Sequence, residues 1–89
     1  MTLIVKRKGH KEEFDARKVY ASVYAACLNV HMHESEAELI GDKVSKEVGE
    51  VLKTKVEVTS NHILQLTTDT LRKYSSDAAF MYETHRDVS

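Results

Sequence analysis

The amino-acid sequence predicts a mostly helical α+β protein, a four-helix bundle capped at one end by a small three-stranded sheet. Four segments carry apolar residues at steps of three or four, which is the spacing of a helix face. Three short β-branched or alternating segments indicate strands. The chain has no proline and only three glycines among 89 residues. We therefore expect residues 1–89 to form a single domain around one small core.

The first predicted element is a hairpin over residues 2–14. The segment from Thr2 to Arg7 is β-branched and apolar at its start, and Lys8-Gly9 supplies the chemistry of a turn. Because side chains alternate along a strand, Lys6 and Arg7 leave it on opposite faces. Such cations can serve a ligand, or they can simply protect an edge strand from aggregation.

The first helix is predicted over about 15–29 and the second over about 34–53. Asp15 suits the N-cap of the first. Ser35 and Glu38 form a possible capping box for the second, although acidic residues just before and after Ser35 would suit an earlier start. The apolar positions expected to face the core are Val19, Val23, Cys27 and Val30, then Leu39, Ile40, Val44, Val48, Val51 and Leu52.

A short strand over 56–58 is predicted to follow, since Val56-Glu57-Val58 alternates in polarity. Thr59-Ser60 then predicts the N-cap of a third helix over 60–74, and Ser75-Ser76-Asp77 that of a final helix over 76–87. The complete order is β-β-α-α-β-α-α.

Composition sets broad limits on function. The chain is 42% hydrophobic and 30% charged, with a net charge of −1, which is typical of globular domains. Its single cysteine, Cys27, excludes an internal disulfide. No apolar run approaches the roughly 20 residues of a membrane span, and the start lacks a signal-peptide pattern. We expect a cytoplasmic protein without a membrane partner, complete or nearly so.

Charge is distributed unevenly along the chain. Residues 6–18 carry six basic and three acidic side chains, whereas residues 34–50 carry two basic and six acidic ones. The acidic segment has the pattern of a solvated helix face. The basic segment combines cations with a carboxylate beside a helix start, which suits a phosphate-bearing ligand that also offers a hydrogen-bond donor.

From Ile4 to Lys18 the chain reads I-V-K-R-K-G-H-K-E-E-F-D-A-R-K, which follows the order V-x-K-R-x-G-x-x-E-x-F-D-x-x-K with isoleucine in place of the first valine. This order resembles the nucleotide-binding signature of the ATP-cone domain, the regulatory ATP/dATP module of ribonucleotide reductases and of their transcriptional repressor. The segment from Glu57 to Ile63 resembles the family's junction into the third helix. The segment from Ala78 to Arg86 resembles its A-x-x-Y-x-x-Y-R ending, so the similarity extends over nearly the whole domain.

The resemblance implies a nucleotide site without catalytic or metal-ligating residues. It places Lys6, Arg7 and Arg86 on phosphates, Glu12 on the adenine amino group, and Lys18 on ribose or phosphate oxygens. The full set of implied nucleotide-binding residues is Ile4, Lys6, Arg7, Glu12, Asp15, Lys18, Thr59 and Arg86.

Each of these residues also has a purely structural interpretation. Glu12 can form a cross-strand ion pair with Lys6 or Lys11. Asp15 and Thr59 can serve as helix caps without any role in ligand binding. An isolated lysine such as Lys18 is usually exposed to solvent.

The sequence departs from the family pattern at three positions. Lys8 replaces an acidic residue before the turn glycine, Leu64 replaces a polar contact of some members, and His85 replaces an aromatic residue. These changes leave open the preference for ATP or dATP and the number of nucleotides bound. The histidines at 31 and 33 are only a weak metal signal.

The resemblance implies a non-catalytic module that binds ATP or dATP, with or without Mg2+, and alters its own oligomerisation or its docking on a ribonucleotide reductase or related regulator. An alternative is a nucleic-acid-binding or transcription-regulating protein that uses the basic hairpin. The absence of a zinc ribbon, a recognition helix and an overall positive charge makes nucleic acid an unexpected partner. A nucleotide-processing enzyme is the third alternative, but no catalytic motif accompanies the binding residues.

Overall fold

Seven elements in the order β-β-α-α-β-α-α form the computed structural model of the protein, which describes residues 2–6 and 8–84. The order and the mostly helical α+β class confirm the predicted fold. The strands are β1 (Leu3–Val5), β2 (Lys11–Glu13) and β3 (Glu57–Thr59). The helices are α1 (Ala16–Asn29), α2 (Glu34–Leu52), α3 (Ser60–Arg72) and α4 (Ser76–Thr84).

The three strands form one sheet in the order β2-β1-β3. β1 pairs with β2 in antiparallel orientation and with β3 in parallel orientation, so Ile4 lies between Glu12 and Val58. The third strand begins one residue later than the predicted 56–58. Val56 lies before the paired residues and is 75% exposed, whereas Val58 is buried, so the two valines do not share a buried strand face.

The hairpin turn depends on Gly9. This residue has a φ of 90°, a region that side chains with a Cβ atom rarely adopt. The backbone N–H of Gly9 donates to the carbonyl of Lys6 at 2.9 Å, and the N–H of Lys6 donates to the carbonyl of His10 at 2.9 Å. Lys6 is therefore held at the point where the hairpin closes.

Helices α1 and α2 pack closely because Gly41 lies against Tyr20. A Cβ atom at Gly41 would lie 3.1 Å from two ring carbons of Tyr20. The predicted capping box does not start α2. The N-cap is His33, whose Nδ1 accepts from the backbone N–H of Ser35 at 3.2 Å. The two acidic residues Glu34 and Glu36 then fall in the first turn, where the helix dipole favours negative charge.

The core lies between the helices and the inner face of the sheet. Leu39 and Val51 of α2, expected to face this core, are instead 54% and 45% exposed. The largest fully buried side chains are Leu52, Leu71, Val23, Val44, Val48, Thr67, Thr68 and Cys27.

Of the two C-terminal helices, only α3 is shorter than predicted within the described residues. α3 ends at Arg72 rather than at residue 74. α4 is described to Thr84, and the rest of the predicted 76–87 lies outside the described residues. Ser75 caps α4, since its Oγ accepts from the N–H of Ala78 at 3.1 Å. Among the described helices, none has both the length and the apolar character to cross a membrane.

Candidate functional site

A cavity of about 1050 Å3 opens between the sheet and helices α1, α3 and α4. Ligand pockets typically have volumes of about 300–1000 Å3, so this cavity can hold an organic ligand of substantial size. The sheet and its connections contribute Ile4, Val5, Lys6, Glu12, Phe14, Asp15 and Thr59 to the lining. The remaining lining comes from one face of α1, from the start of α3 and from α4.

The charged part of the lining contains two lysines around one carboxylate oxygen. Glu12 Oε1 lies 3.3 Å from Nζ of Lys6 and 3.8 Å from Nζ of Lys18. Glu12 lies opposite Ile4 in the hairpin, so it shares a sheet face with Ile4 and Lys6. The Lys6 ammonium, and to a lesser degree that of Lys18, lowers the pKa of the Glu12 carboxyl. The cluster thus combines two ammonium groups with one carboxylate.

Asp15 is the second carboxylate in the lining, and it is held within its own helix start. Its Oδ1 accepts from the backbone N–H of Arg17 at 3.0 Å, which is the N-cap bond of α1. The Arg17 guanidinium also donates to both carboxylate oxygens, at 3.1 and 3.0 Å. These hydrogen bonds lower the pKa of Asp15. Asp15 thus borders the cavity while it stabilises α1.

The start of α3 provides a second polar wall. Thr59 is the last residue of β3 and the N-cap of α3, and its Oγ1 accepts from the N–H of His62 at 3.0 Å. Ser60 and Asn61, the first two residues of α3, also line the cavity. The free N–H groups and the dipole at a helix N-terminus favour an anion. The cavity is therefore lined by the ammonium groups of Lys6 and Lys18 and by the partial positive charge at the N-terminus of α3.

One face of α1 forms a wall of the cavity, and the sequence identified only Lys18 of it. Lys18, Ser22, Ala25 and Asn29 all line the cavity, and they follow one another at helical steps of three or four. Small and polar residues at this spacing, next to the apolar stripe of the same helix, were the signal in the sequence. Ser22 Oγ lies 3.3 Å from Oη of Tyr82, which connects this wall to α4.

The structure brings the described members of the predicted set to one place. Ile4, Lys6, Glu12, Asp15, Lys18 and Thr59 all line the same cavity. Arg7 and Arg86, the other two predicted nucleotide-binding residues, lie outside the described residues. Their common position is consistent with one site, and the role of each residue in ligand binding is a prediction.

The residues at which the sequence departs from the family pattern fall in different places. Leu64 lies in the lining of the cavity. Lys8 is exposed in the hairpin turn and is not among the lining residues. Of the two loop histidines, His33 caps α2. Within the ranges 2–6 and 8–84 no group of three or more histidine, cysteine, aspartate or glutamate side chains could hold a metal ion.

Comparison with known proteins identifies the family that this arrangement represents. The profile of the ATP cone domain matches residues 2–87. The transcriptional repressor NrdR of Carboxydothermus hydrogenoformans is 30% identical over a 91-residue alignment, which covers 98% of this chain and 58% of that protein. The transcriptional repressor NrdR of Bifidobacterium animalis subsp. lactis is 38% identical over 48 residues, or 54% of this chain and 24% of that protein. The chain thus spans less than two thirds of either relative.

These relatives correct one prediction. We expected nucleic acid to be an unlikely partner, because the chain lacks an overall positive charge and a recognition helix. Both relatives are transcriptional repressors, so that expectation is wrong. Its physical basis was too narrow, since the net charge of −1 describes 89 residues, whereas the relatives are considerably longer.

Proposed function

The chain belongs to the ATP-cone domain family, and on that premise we propose that it is a non-catalytic regulatory module that binds ATP or dATP. ATP-cone domains are nucleotide-binding regulatory domains. The observation that carries the proposal is the convergence of Lys6, Glu12 and Lys18 with the N-terminus of α3 around one cavity. This combination offers cations and backbone N–H groups to phosphates, and a carboxylate to a base amino group.

The proposed roles follow the chemistry of each side chain. Lys6 and Lys18 bind phosphate or ribose oxygens, together with Arg7 and Arg86. Glu12 accepts a hydrogen bond from the amino group of adenine. Two of the proposed residues already have hydrogen bonds in the fold, so Asp15 and Thr59 offer the ligand only their remaining acceptor and donor capacity. Ile4 lies on the same sheet face as Lys6 and Glu12 and provides apolar contact.

The regulatory output is a change in assembly. Nucleotide alters oligomerisation of the chain or its docking on a partner such as a ribonucleotide reductase. Such coupling requires that the nucleotide bind the two association states with different affinities. The cavity supports this arrangement because its walls belong to the hairpin, α1, α3 and α4. A ligand that contacts all four can change how they present their outer surfaces.

Thermal unfolding in the presence of ATP, dATP, GTP and AMP tests the ligand, each with and without Mg2+. A ligand present at about 100 times its Kd stabilises the folded state by about 2.7 kcal/mol. We expect the melting temperature to rise by several degrees or more with ATP or dATP, and less with GTP or AMP. Equal indifference to all four ligands would contradict the proposal.

A second candidate function is transcriptional regulation, because both relatives are transcriptional repressors. In this version the module acts within a repressor and its nucleotide state controls the activity of that assembly. A DNA-binding assay over a range of salt concentrations tests whether the chain itself contacts DNA. Affinity that falls steeply with salt indicates phosphate contacts. If the electrophoretic mobility of DNA is unchanged at low salt, the chain itself does not bind DNA, and only the nucleotide-sensing role is supported.

The non-catalytic part of the proposal has its own measurement. We expect no phosphate release from ATP above the level of a Lys18→Ala variant, because the proposed residues bind and orient the ligand without a nucleophile. Turnover that depends on Lys18 would show that the module is an enzyme.

A further inference from the structure

The two carboxylates that line the cavity are held in different ways. Asp15 accepts hydrogen bonds from the Arg17 backbone and guanidinium at 3.0–3.1 Å, outside the lysine cluster. Glu12 forms its ion pairs with Lys6 and Lys18, the two described lysines of the lining. A polyanion can reach the Lys6 and Lys18 ammonium groups without disturbing Asp15. A phosphate that bonds to both ammonium groups at once comes close to Glu12, which lies against both of them.

The position of Glu12 makes the conflict direct. One oxygen, Oε1, lies 3.3 Å from Lys6 Nζ and 3.8 Å from Lys18 Nζ. A phosphate oxygen that bonds to both ammonium groups must come close to this oxygen or replace it. The two negative charges then repel each other in a partly enclosed cavity, where the Lys6 side chain is only 22% exposed. Repulsion between like charges at such a distance weakens binding substantially.

Whether the repulsion between Glu12 and phosphate is relieved depends on the hydrogen-bond donors of the ligand. If the ligand carries an N–H donor near its phosphates or base, Glu12 can leave the lysines and accept that hydrogen bond. The carboxylate then keeps a partner and the phosphates gain both lysines. A polyphosphate without a donor offers Glu12 nothing in exchange, so the partly exposed carboxylate gives up two ion pairs for water.

We propose that Glu12 is a specificity-determining residue that competes with phosphate for Lys6 and Lys18, so that the cavity accepts a triphosphate well only when the ligand also provides a hydrogen-bond donor. This inference rests on the proposed function and adds a mechanism of selection to it. Polyanions without such a donor, such as inorganic polyphosphate, bind more weakly because of the same carboxylate that accepts a hydrogen bond from an amino-bearing base.

Glu12→Gln is the variant that tests this competition, because it removes the charge and keeps the size of the side chain. Glu13→Gln is the matched control. Glu13 is the next residue of β2, is exposed and lies on the opposite face of the strand, so the control changes the net charge equally without changing the lining. Calorimetric titration of each protein with inorganic triphosphate and with ATP gives the affinities.

We expect Glu12→Gln to bind inorganic triphosphate about tenfold more tightly than the wild type and Glu13→Gln do. Its preference for ATP over inorganic triphosphate should fall at the same time. The proposal is overturned if Glu12→Gln binds inorganic triphosphate no more tightly than the two other proteins. If Glu12→Gln does not fold, Glu12→Ala removes the same charge and gives the same comparison.

The two ligands separate the two proposals. Failure of the wild type to bind ATP contradicts the proposed function, but a gain of triphosphate affinity in Glu12→Gln would still support the competition. Normal ATP binding by the wild type, with unchanged triphosphate affinity in Glu12→Gln, overturns the competition and leaves the proposed function standing.

Discussion

Thr59 Oγ1 accepts a hydrogen bond from the backbone N–H of His62 at 3.0 Å, so a single residue both ends β3 and caps α3. Thr59 is paired with Val5 in the parallel ladder, and its neighbour in the lining, Ser60, is the first residue of α3. This relationship fixes the N-terminus of α3 against the sheet. The stability of the fold and the geometry of the candidate site therefore share one side chain.

Replacement of Thr59 separates its two roles. Loss of an N-cap hydroxyl typically costs about 1 kcal/mol, so Thr59→Ala should lower the free energy of unfolding by about that amount. Thr59→Ser keeps the hydroxyl and should be close to wild type. Urea unfolding of the three proteins provides the comparison, and equal stability of Thr59→Ala and Thr59→Ser would refute the capping role.

Lys46 is a control for the role of Lys18 in ATP binding, because the two lysines lie in similar structural settings. Both Lys18 and Lys46 lie on helices, each in a surface ion pair, with side chains 70% and 74% exposed. Lys18 lines the large cavity and Lys46 does not. We expect Lys18→Ala to weaken ATP binding about tenfold, because a charge-assisted bond to phosphate is lost. Lys46→Ala should leave ATP affinity within about twofold, since surface ion pairs contribute little.

The stability of both lysine variants should stay close to wild type for the same reason. Calorimetry with ATP and a thermal melt without ligand supply the two measurements. An equal loss of ATP affinity in the two variants would mean that only net charge matters and that the cavity is not the binding site.

Glu47 connects α2 with the end of α3. Lys73 Nζ donates to Glu47 Oε1 at 2.5 Å, and the Tyr74 hydroxyl donates to Glu47 Oε2. The hydrogen bond from Lys73, followed by that from Tyr74, lowers the pKa of Glu47 below its ordinary value of 4.5. A carboxyl with a lowered pKa in the folded state stabilises the fold above the unfolded-state pKa, and the contribution disappears as pH falls through the folded-state value.

The lowered pKa of Glu47 predicts how acid affects the stability of the fold. The contribution of Glu47 should be complete at neutral pH and should decline as the pH drops below about 4.5. Glu47→Gln should therefore be less stable than wild type at pH 7 and lose less stability on acidification. Glu50→Gln, one turn further along α2, controls for removal of a carboxylate. Parallel pH profiles for the wild type and Glu47→Gln in urea unfolding would disprove this assignment.

Three threonines of α3 offer a test of buried hydroxyl groups. Thr67 and Thr68 are 0% and 1% exposed, and within the described part of the chain their Oγ1 atoms have no hydrogen-bond partner. Thr70 is also buried, but its hydroxyl donates to the carbonyl of Leu66 at 2.7 Å. An unpaired buried hydroxyl costs free energy, whereas valine has nearly the same shape.

We expect Thr67→Val and Thr68→Val each to raise the free energy of unfolding by about 1 kcal/mol. Thr70→Val removes a satisfied hydroxyl and should be neutral or destabilising. Denaturant titration of the three single variants decides the matter. The interpretation fails if Thr70→Val is the most stabilised of the three.

Local patterns in the sequence were sufficient to predict the class and order of elements. Steps of three and four identified most of the buried positions of α1 and α2, and Asp15 and Thr59 marked the starts of α1 and α3. The cap of α2 was less accessible than its start, because histidine is not among the preferred N-cap residues. His33 serves there with a ring nitrogen that accepts from Ser35, while the acidic residues on either side of Ser35 had indicated a start earlier than the possible capping box.

Exposure and the extent of the site depend on contacts between elements, which one-dimensional patterns do not contain. Leu39 has the polarity of a core residue, but it lies on the solvent side of α2 and is 54% exposed. Ser22 and Asn29 have no distinctive chemistry in the sequence. They reach the cavity because α1 packs against α4 and lines the same cavity as the start of α3. The motif residues were easier to identify because the hairpin is local in sequence.

The most direct test of the central claim is a titration of 15N-labelled protein with ATP, followed by amide chemical shifts. We expect the largest changes at Lys6, Glu12, Lys18, Ser60 and Asn61, which surround one cavity. The amides of Lys46 and Lys73, in the separate groove between α2 and α3, should change little. Shifts confined to that groove, or no shifts at saturating ATP, would contradict the account.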